Sequence, residues 1–264
     1  MLFDTHAHLD QPEFDEDRRN VVTRANDAGV AEMITIGTTA DASERCVAIA
    51  AEFDSVYAAV GIQPNYVAEA SASDWDRVLK LIDAPGVVAL GETGLDRHWD
   101  FAPFDLQQDY FDRHLRLSQE TGLPFVVHMR DCDDDILDML RQARARGPLK
   151  GVMHSFTGSS AMAVECVDMG LHISFAGMVT FKKSTDLRHI AATIPNDRLL
   201  VETDSPYLSP HPVRNQRRNE PAKLVQTATC LADVRGQSVE QFAEQTTANA
   251  RRLFLRDDRP IAEG

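Results

Sequence analysis

The segment that decides the fold is Leu2-Phe3-Asp4-Thr5-His6-Ala7-His8, an apolar opening run that ends in a His-x-His pair. Seven further runs rich in Val, Ile, Leu, Phe and Ala follow, each bounded by turn residues and separated from the next by a helix-like segment. The eight predicted strands are 2–8, 31–38, 56–62, 87–92, 125–129, 151–155, 171–176 and 199–204. Eight strands alternating with helices in 264 residues fit an α/β fold, the TIM (β/α)8 barrel, in which the carboxyl ends of the strands converge on one mouth.

The segments between the runs carry start and stop signals of helices. Glycine follows the predicted helices 14–28, 103–121, 133–146 and 160–169, and we expect Gly29, Gly147 and Gly170 in the left-handed conformation. Capping-box patterns predict helix starts at Asp41 and Ser238. The same alternation also permits a doubly wound open sheet. Candidate ligands at both chain ends favour closure, because the first and last strands must then be neighbours.

Length and composition predict one domain spanning residues 1–264, since no linker, repeat or low-complexity stretch divides the chain. Neither a signal peptide nor a membrane-spanning run is evident, so we expect a cytoplasmic protein with no membrane association. The four cysteines are far apart and suit reduced thiols. A net charge of −14 argues against broad electrostatic adhesion to nucleic acid or anionic membranes. Nothing indicates an obligate protein partner.

Five of the eight strand tails carry a candidate metal ligand. His6 and His8 are two residues apart, so their side chains share a face of the strand and can serve one ion. Carboxylates that follow apolar runs, as in two of the tails, are costly to bury unless they are paired or bound to a cation. A core histidine or a structural salt bridge explains any one of these residues, but not all five strand ends together. The candidate ligands are His6, His8, Glu92, His128, His154 and Asp204.

Four other carboxylates have ambiguous roles. Glu202 shares a strand face with Asp204 and is an alternative ligand, although Asp204 lies nearer the mouth. Asp4 has the same relationship to His6, and we interpret it as a deeper structural carboxylate or one that orients a ligand. Asp10 and Asp96 are near the mouth as well, where turn stabilisation is as good an explanation as ligation.

Basic residues follow several of the strand ends and predict a basic mouth despite the acidic chain. They are Arg130, Lys182, Lys183, Arg214, Arg217 and Arg218. We expect Arg130 and Arg218 to bind substrate phosphate. Ordinary solvated loop charges are the alternative explanation.

As a set, five segments resemble the signature sequences of the TatD family of metal-dependent hydrolases. They are Asp4-Thr5-His6-Ala7-His8-Leu9-Asp10, Gly91-Glu92-Thr93-Gly94-Leu95-Asp96, His128-Met129-Arg130-Asp131, His154-Ser155-Phe156-Thr157-Gly158 and Glu202-Thr203-Asp204-Ser205-Pro206-Tyr207-Leu208. The resemblance implies a TIM-barrel hydrolase of the amidohydrolase superfamily, with deoxyribonuclease activity in some members. In one departure, Arg97-His98-Trp99 stands where the family commonly has an aromatic residue directly after Gly-Leu-Asp.

The resemblance also implies the roles of the candidate ligands. Two divalent ions (zinc, manganese, magnesium or cobalt) would be bridged by Glu92, with His6, His8 and Asp204 on one ion and His128 and His154 on the other. Glu92 and Asp204 would be catalytic, with a metal-activated water as nucleophile. The predicted function is cleavage of DNA from an end, in the manner of a 3'-5' exonuclease. Alternatives are hydrolysis of an amide, lactone or aminoacyl ester, on a small molecule or aminoacyl-tRNA, and a non-catalytic metal-binding or scaffold protein.

Overall fold

The computed structural model describes residues 1–255, so residues 256–264 of the predicted domain lie outside the described residues. Its centre is one sheet of eight parallel strands in sequence order. The strands are β1 (Leu2–Ala7), β2 (Val30–Ile36), β3 (Val56–Val60), β4 (Val87–Asp96), β5 (Phe125–Arg130), β6 (Gly151–Met153), β7 (His172–Phe175) and β8 (Leu199–Val201). All eight predicted strands are present. The fourth is longer than predicted, whereas β6 and β8 are shorter and leave His154 and Asp204 just beyond their ends.

The sheet curls until its first and last strands meet, which confirms the TIM barrel and excludes the open doubly wound sheet. Ala7 forms a parallel bridge with Ser205. On either side of it, the His8 amide donates to the Ser205 carbonyl at 2.7 Å and the Asp204 amide donates to the His6 carbonyl at 2.9 Å. The contact that closes the barrel therefore also brings the ligand-bearing ends of β1 and β8 together.

Helices follow the strands around the barrel. They are α1 (Arg18–Asp27), α2 (Ala40–Glu52), α3 (Asp74–Leu81), α4 (Phe104–Thr121), α5 (Asp133–Arg146), α6 (Ser160–Asp168), α7 (Thr185–Thr193), α8 (Leu224–Arg235) and α9 (Val239–Phe254). The predictions for α4, α5 and α6 are confirmed to within a residue. The predicted start of the first helix is wrong, because the chain forms a short 3-10 turn over Pro12–Phe14 before α1 begins.

Helix ends test the predicted caps. The capping box at Ser238 is confirmed, but α2 is capped by Thr39, whose side chain accepts from the Ala42 amide, and not by Asp41. Gly29 and Gly170 have φ of +87° and +102°, as predicted for helix-terminating glycine. Gly147 has a φ of 170°, so that prediction is wrong: its amide still bonds to Ala143, and the chain leaves α5 in extended form.

The amino ends of the strands are covered by α9. Asn249 Nδ2 donates to the Leu199 carbonyl at 2.9 Å, and Thr247 Oγ1 donates to the Met1 carbonyl at 3.0 Å. Beside these contacts, Leu253 and Phe254 join a buried cluster with Phe3 and other strand residues. The covered end leaves the carboxyl ends of the strands as the open face. Among residues 1–255, no helix combines the length and apolar character needed to cross a membrane.

Candidate metal centre

Four of the predicted ligands bring their donor atoms together at the mouth. His6 Nε2 and His8 Nε2 are 3.2 Å apart. His6 Nε2 lies 3.6 Å from Glu92 Oε2 and 3.7 Å from Asp204 Oδ1, and the corresponding distances from His8 Nε2 are 3.8 and 3.4 Å.

These spacings fit a bound metal ion. Four ligands arranged tetrahedrally at about 2.1 Å from an ion, as in zinc sites, lie about 3.4 Å from one another. The five distances above span 3.2 to 3.8 Å. The donor set of two neutral imidazoles and two carboxylates also has the chemistry that divalent transition metals prefer. On geometry and on chemistry, the residues present suit the ion that the sequence predicts.

The second oxygen of Glu92 faces the remaining two ligands. Glu92 Oε1 lies 2.9 Å from His128 Nδ1 and 3.2 Å from His154 Nε2. The His6 and His154 rings stack with their centroids 3.9 Å apart, which brings the two donor sets side by side. Glu92 thus presents one carboxylate oxygen to each pair of histidines, and its role as a bridge between two ions stays a prediction.

Hydrogen bonds orient three of the four imidazoles. His128 Nε2 bonds to Asp96 Oδ2 at 2.8 Å, and His154 Nδ1 bonds to Glu202 Oε1 at 3.2 Å. His8 Nδ1 donates to the Ile36 carbonyl at 3.1 Å. Each bond assigns the proton to one ring nitrogen and turns the other toward the donor cluster, an arrangement typical of metal-binding histidines.

The ambiguous carboxylates fall into distinct positions. Asp96 stabilises the following turn by accepting from its amides, and its other oxygen bonds to His128. Asp4 accepts from the Thr203 amide and hydroxyl at 2.9 and 2.6 Å, and burial raises its pKa to about 7 in spite of these bonds. Asp10 pairs with Arg45 at 3.0 Å. Asp4 and Asp10 thus satisfy structural partners.

The pKa values of the two histidines in the His-x-His pair are shifted in opposite directions. Burial lowers the pKa of His6 well below its usual value, and the neighbouring histidines lower it further. Burial also disfavours the His8 cation, but the hydrogen bond to Asp204 and the charges of Glu92 and Asp204 raise the pKa of His8 to about 9. Without metal, the cluster therefore holds protons that a bound ion displaces.

The donor atoms open into a cavity of about 1040 Å³. Within the described part of the chain, its lining includes a single arginine, Arg130, and no lysine. Five lining carboxylates oppose it: Glu69, Glu92, Asp100, Asp131 and Asp204. The predicted basic mouth is therefore wrong for the protein without metal. Any attraction of this cavity for an anion would have to come mostly from bound metal ions and not from its side chains.

Two of the other predicted cations, Arg218 and Arg214, have partners outside the cavity. Arg218 donates to both Asp17 and Glu220 at 2.7 Å and is absent from the cavity lining, so its role in phosphate binding stays a prediction with little support. Arg214 lies over the Phe181 ring at 4.0 Å. Lys183 lines a separate cavity beside α6 and α7. Only Arg130 among these cations lies against the site.

Sequence reasoning missed a layer of residues from the loop after β3. Gln63, Asn65 and Tyr66 all line the cavity, and Asn65 Nδ2 donates to Asp96 Oδ2 at 3.0 Å. Their one signal was their position after a strand end, because the segment contains no histidine or acidic residue before Glu69. Asn65 and His128 thus bond to the same oxygen of Asp96, and both help to hold that carboxylate in place.

The barrel and its paired donor sets define the class of protein: it is a metal-dependent hydrolase. The chain belongs to the TatD family, since the family model described as TatD related DNase matches residues 3–255. A Bacillus subtilis relative named uncharacterized metal-dependent hydrolase YabD is 39% identical over 254 residues, covering 96% of this chain and 99% of the relative. The resemblance predicted from the five signature segments is confirmed.

Two further relatives extend the comparison. The Klebsiella pneumoniae protein named 3'-5' ssDNA/RNA exonuclease TatD is 35% identical over 257 residues, covering 96% of this chain and 97% of the relative. The crystal structure of YjjV, a TatD homologue from Escherichia coli, superposes with a TM-score of 0.89 at 30% identity, covering 96% of this chain and 97% of that one. Both matches span the whole barrel and its ligand-bearing strand ends.

Proposed function

We propose that the protein hydrolyses phosphodiester bonds in single-stranded DNA and releases nucleotides from the 3' end. The observation that carries the proposal is the position of the Glu92 carboxylate. Each of its two oxygens faces two histidines, and the group lines one open cavity. Two closely spaced divalent ions are a recurrent device for phosphodiester cleavage. The family description as a DNase and the name of the Klebsiella relative support this substrate class.

The proposed ligand sets follow the donor positions. His6, His8, Asp204 and Glu92 Oε2 would hold one ion, and His128, His154 and Glu92 Oε1 the other. Such ions, when bound, activate a water and neutralise charge on the phosphodiester. Mixed imidazole and carboxylate ligands favour zinc, manganese or cobalt over magnesium.

Two side chains would carry out the proton transfer and the binding of the substrate phosphate. Asp204 is more exposed than the other carboxylate of the cluster, so we assign it to accept the proton of the attacking water. Arg130 faces the same cavity and would bind a phosphate oxygen of the substrate. With the ions bound, His128, His154 and His8 would be neutral, because a ring nitrogen that holds an ion carries no proton. The hydrogen bond at the other nitrogen orients each ring toward the ions.

We also propose that the protein acts in the cytoplasm as one domain without an obligate partner. All four cysteines are free, and three of them are buried, as expected of a protein from a reducing compartment.

The test is cleavage of end-labelled single- and double-stranded DNA by protein stripped of metal and then supplied with magnesium, manganese or zinc. We expect metal-dependent loss of nucleotides from the 3' end of single strands, and His128→Ala serves as the contamination control. Metal analysis should find two ions per chain in the wild type. Two bound ions without any DNA cleavage would refute the nuclease, and lactone, amide and aminoacyl ester substrates would then be tried.

A further inference from the structure

Exposed aromatic rings are concentrated at the mouth of the cavity. Within the described residues, six large hydrophobic side chains are exposed, and four of them line this cavity: Tyr66, Trp99, Phe101 and Tyr207. The other two, Met1 and Val164, lie elsewhere. Large apolar side chains left in water at a binding cleft commonly mark contact with a ligand.

Two of the four rings form a flat, pre-assembled surface in the loop after β4. The Trp99 and Phe101 rings are stacked with centroids 5.3 Å apart and an angle of 3° between their planes. Phe101 is the outer member, with 61% of its surface exposed against 45% for Trp99. A broad planar face of this kind is what stacking with another π-system requires.

The loop that carries the pair is tied directly to the metal centre. One oxygen of Asp96, Oδ1, accepts from the amides of His98 and Trp99 at 2.8 and 3.1 Å. Its other oxygen bonds to His128 Nε2 at 2.8 Å. A single buried carboxylate thus sets the position of both the stacked rings and a predicted ligand, so that the rings have a defined place beside the reacting phosphate.

The residue directly after Gly-Leu-Asp, where the family commonly has an aromatic side chain, is turned away from this cavity. Arg97 pairs with Asp135 and lies 3.6 Å from the centroid of the Phe104 ring, and it is not among the residues lining the cavity. The following His98 binds Asp131 at 3.0 Å. In this chain, Trp99 and Phe101 therefore supply the aromatic surface.

Charge makes such a surface important for binding. Proteins that hold single strands usually combine a positive groove with stacking rings, but this cavity is lined by five carboxylates and one arginine. Stacking is insensitive to those carboxylates because the interacting rings are uncharged. The Arg130 guanidinium lies 5.5 Å from the centroid of the Trp99 ring, and among residues 1–255 it is the one arginine or lysine side chain that lines the cavity.

We propose that Trp99 and Phe101 form a stacking platform for the unpaired nucleobase next to the scissile phosphate, with the base lying on the exposed face of Phe101. The inference rests on the proposed nuclease function and deepens it. A base within a duplex is already stacked and paired on both sides, so the platform selects single strands. Every base has a π-face, so little sequence preference is expected.

The first test is a kinetic cycle between the platform and the base. A single-stranded oligonucleotide is compared with copies that carry one abasic residue at each of the last three positions. In the wild type, we expect one abasic position to lower kcat/KM about tenfold or more. Phe101→Ala and Trp99→Ala should lower kcat/KM on the intact strand by a similar factor and lose the dependence on that base, whereas Phe101→Tyr should retain it.

Val164→Ala is the matched control, because it removes an exposed apolar side chain away from the cavity and should leave both rates unchanged. The proposal would be overturned by alanine variants that lower kcat/KM equally on the intact and the abasic strand. It would also be overturned by variants that keep the full effect of the abasic residue. Wild-type protein that cleaves no oligonucleotide refutes the nuclease itself, whereas wild-type cleavage that ignores abasic positions refutes the platform alone.

A binding measurement provides a readout without turnover. The chain has two tryptophans, so Trp75→Phe leaves Trp99 as the only source of indole fluorescence. Metal-loaded protein is titrated with a phosphorothioate oligonucleotide, which resists hydrolysis. We expect saturable quenching by the intact strand and little by the strand with the critical abasic residue. Equal quenching by both, or none by either, would overturn the placement of the base on Trp99 and Phe101.

Discussion

Asp96 Oδ2 lies 2.8 Å from His128 Nε2 and accepts a hydrogen bond from it, so a metal ion would bind His128 through Nδ1, the nitrogen that faces Glu92. Burial opposes the charge on Asp96, but the hydrogen bonds from His128 and Asn65 lower its pKa to about 2. The carboxylate is therefore ionised at any pH at which the enzyme would bind metal. A charged partner at this position both fixes the tautomer of His128 and makes its Nδ1 a stronger ligand.

Replacing Asp96 should weaken one metal site selectively. We expect Asp96→Asn to lower the affinity of the site formed by His128 and His154 roughly 10- to 100-fold, because the asparagine oxygen still accepts the bond but carries no charge. The site formed by His6 and His8 should keep its affinity. Competition titration with a chromophoric zinc chelator measures both steps. Unchanged affinity at both sites would show that Asp96 serves only the turn that follows it.

Arg130 and Arg218 should behave differently when truncated. Arg130→Ala should raise KM for an oligonucleotide roughly fivefold, equivalent to about 1 kcal/mol, since Arg130 lines the cavity and has no carboxylate partner among its described contacts. Arg218→Ala should leave kcat/KM unchanged and lower the free energy of unfolding by at most about 1 kcal/mol, because Asp17 and Glu220 lose one arginine partner and keep the other, Arg24. Steady-state kinetics and urea denaturation of the two variants make the comparison. A large rise in KM for Arg218→Ala would restore the original prediction of phosphate binding.

Gly94 is required where β4 passes β5. A Cβ atom there would lie 2.0 Å from the His128 carbonyl oxygen, and its φ of +123° is strained for any other residue. We expect Gly94→Ala to lower the free energy of unfolding by more than about 2 kcal/mol. Gly236→Ala is the matched control, since φ there is also positive, +65°, but nothing lies within 4 Å of the added carbon. Equal losses in urea denaturation would mean that backbone conformation, and not the contact with His128, sets the cost.

His114 should make the fold sensitive to acid. Its Nε2 accepts from the Ile62 amide at 3.2 Å and its Nδ1 donates to the Tyr110 carbonyl at 2.7 Å, so only the neutral ring satisfies both bonds. Burial lowers its pKa to about 4. Between pH 6.5 and 4, His114 is protonated in the unfolded chain but stays neutral in the folded protein. Its contribution to the free energy of unfolding is therefore fully present above pH 6.5 and declines as the pH falls toward 4.

The expected loss for His114 approaches 3 kcal/mol by pH 4, at about 1.4 kcal/mol for each unit of pKa difference. His114→Gln keeps an amide donor and acceptor but does not titrate. We therefore expect the difference in free energy of unfolding between wild type and variant to shift by that amount between pH 7 and 4, in favour of the variant. Burial also lowers the pKa of His172 to about 4. His172 is present in both proteins, so its effect cancels in the difference between their free energies of unfolding. A pH-independent difference would show that His114 is protonated in the folded state or masked by other groups.

Local pattern predicted most of the fold because barrel strands buried on both faces read as continuous apolar runs. The prediction failed where side-chain partners were distant in sequence. The mouth proved acidic because Arg218 and Arg214 have partners outside the cavity. No single-chain pattern reveals which charges will be neutralised by residues about two hundred positions away.

By itself, the sequence determined the eight strands, the residues at their carboxyl ends and hence the metal-binding chemistry, because strand parity and burial are local properties. The family resemblance implied a division of these residues into two sets around Glu92, but only the tertiary structure decided which carboxylates, Asp96 and Glu202, orient the histidines. It also placed Trp99 and Phe101 together in the open mouth. These relationships depend on ångström-scale distances across the closed barrel, which arise when β1 meets β8 and are encoded in no single segment.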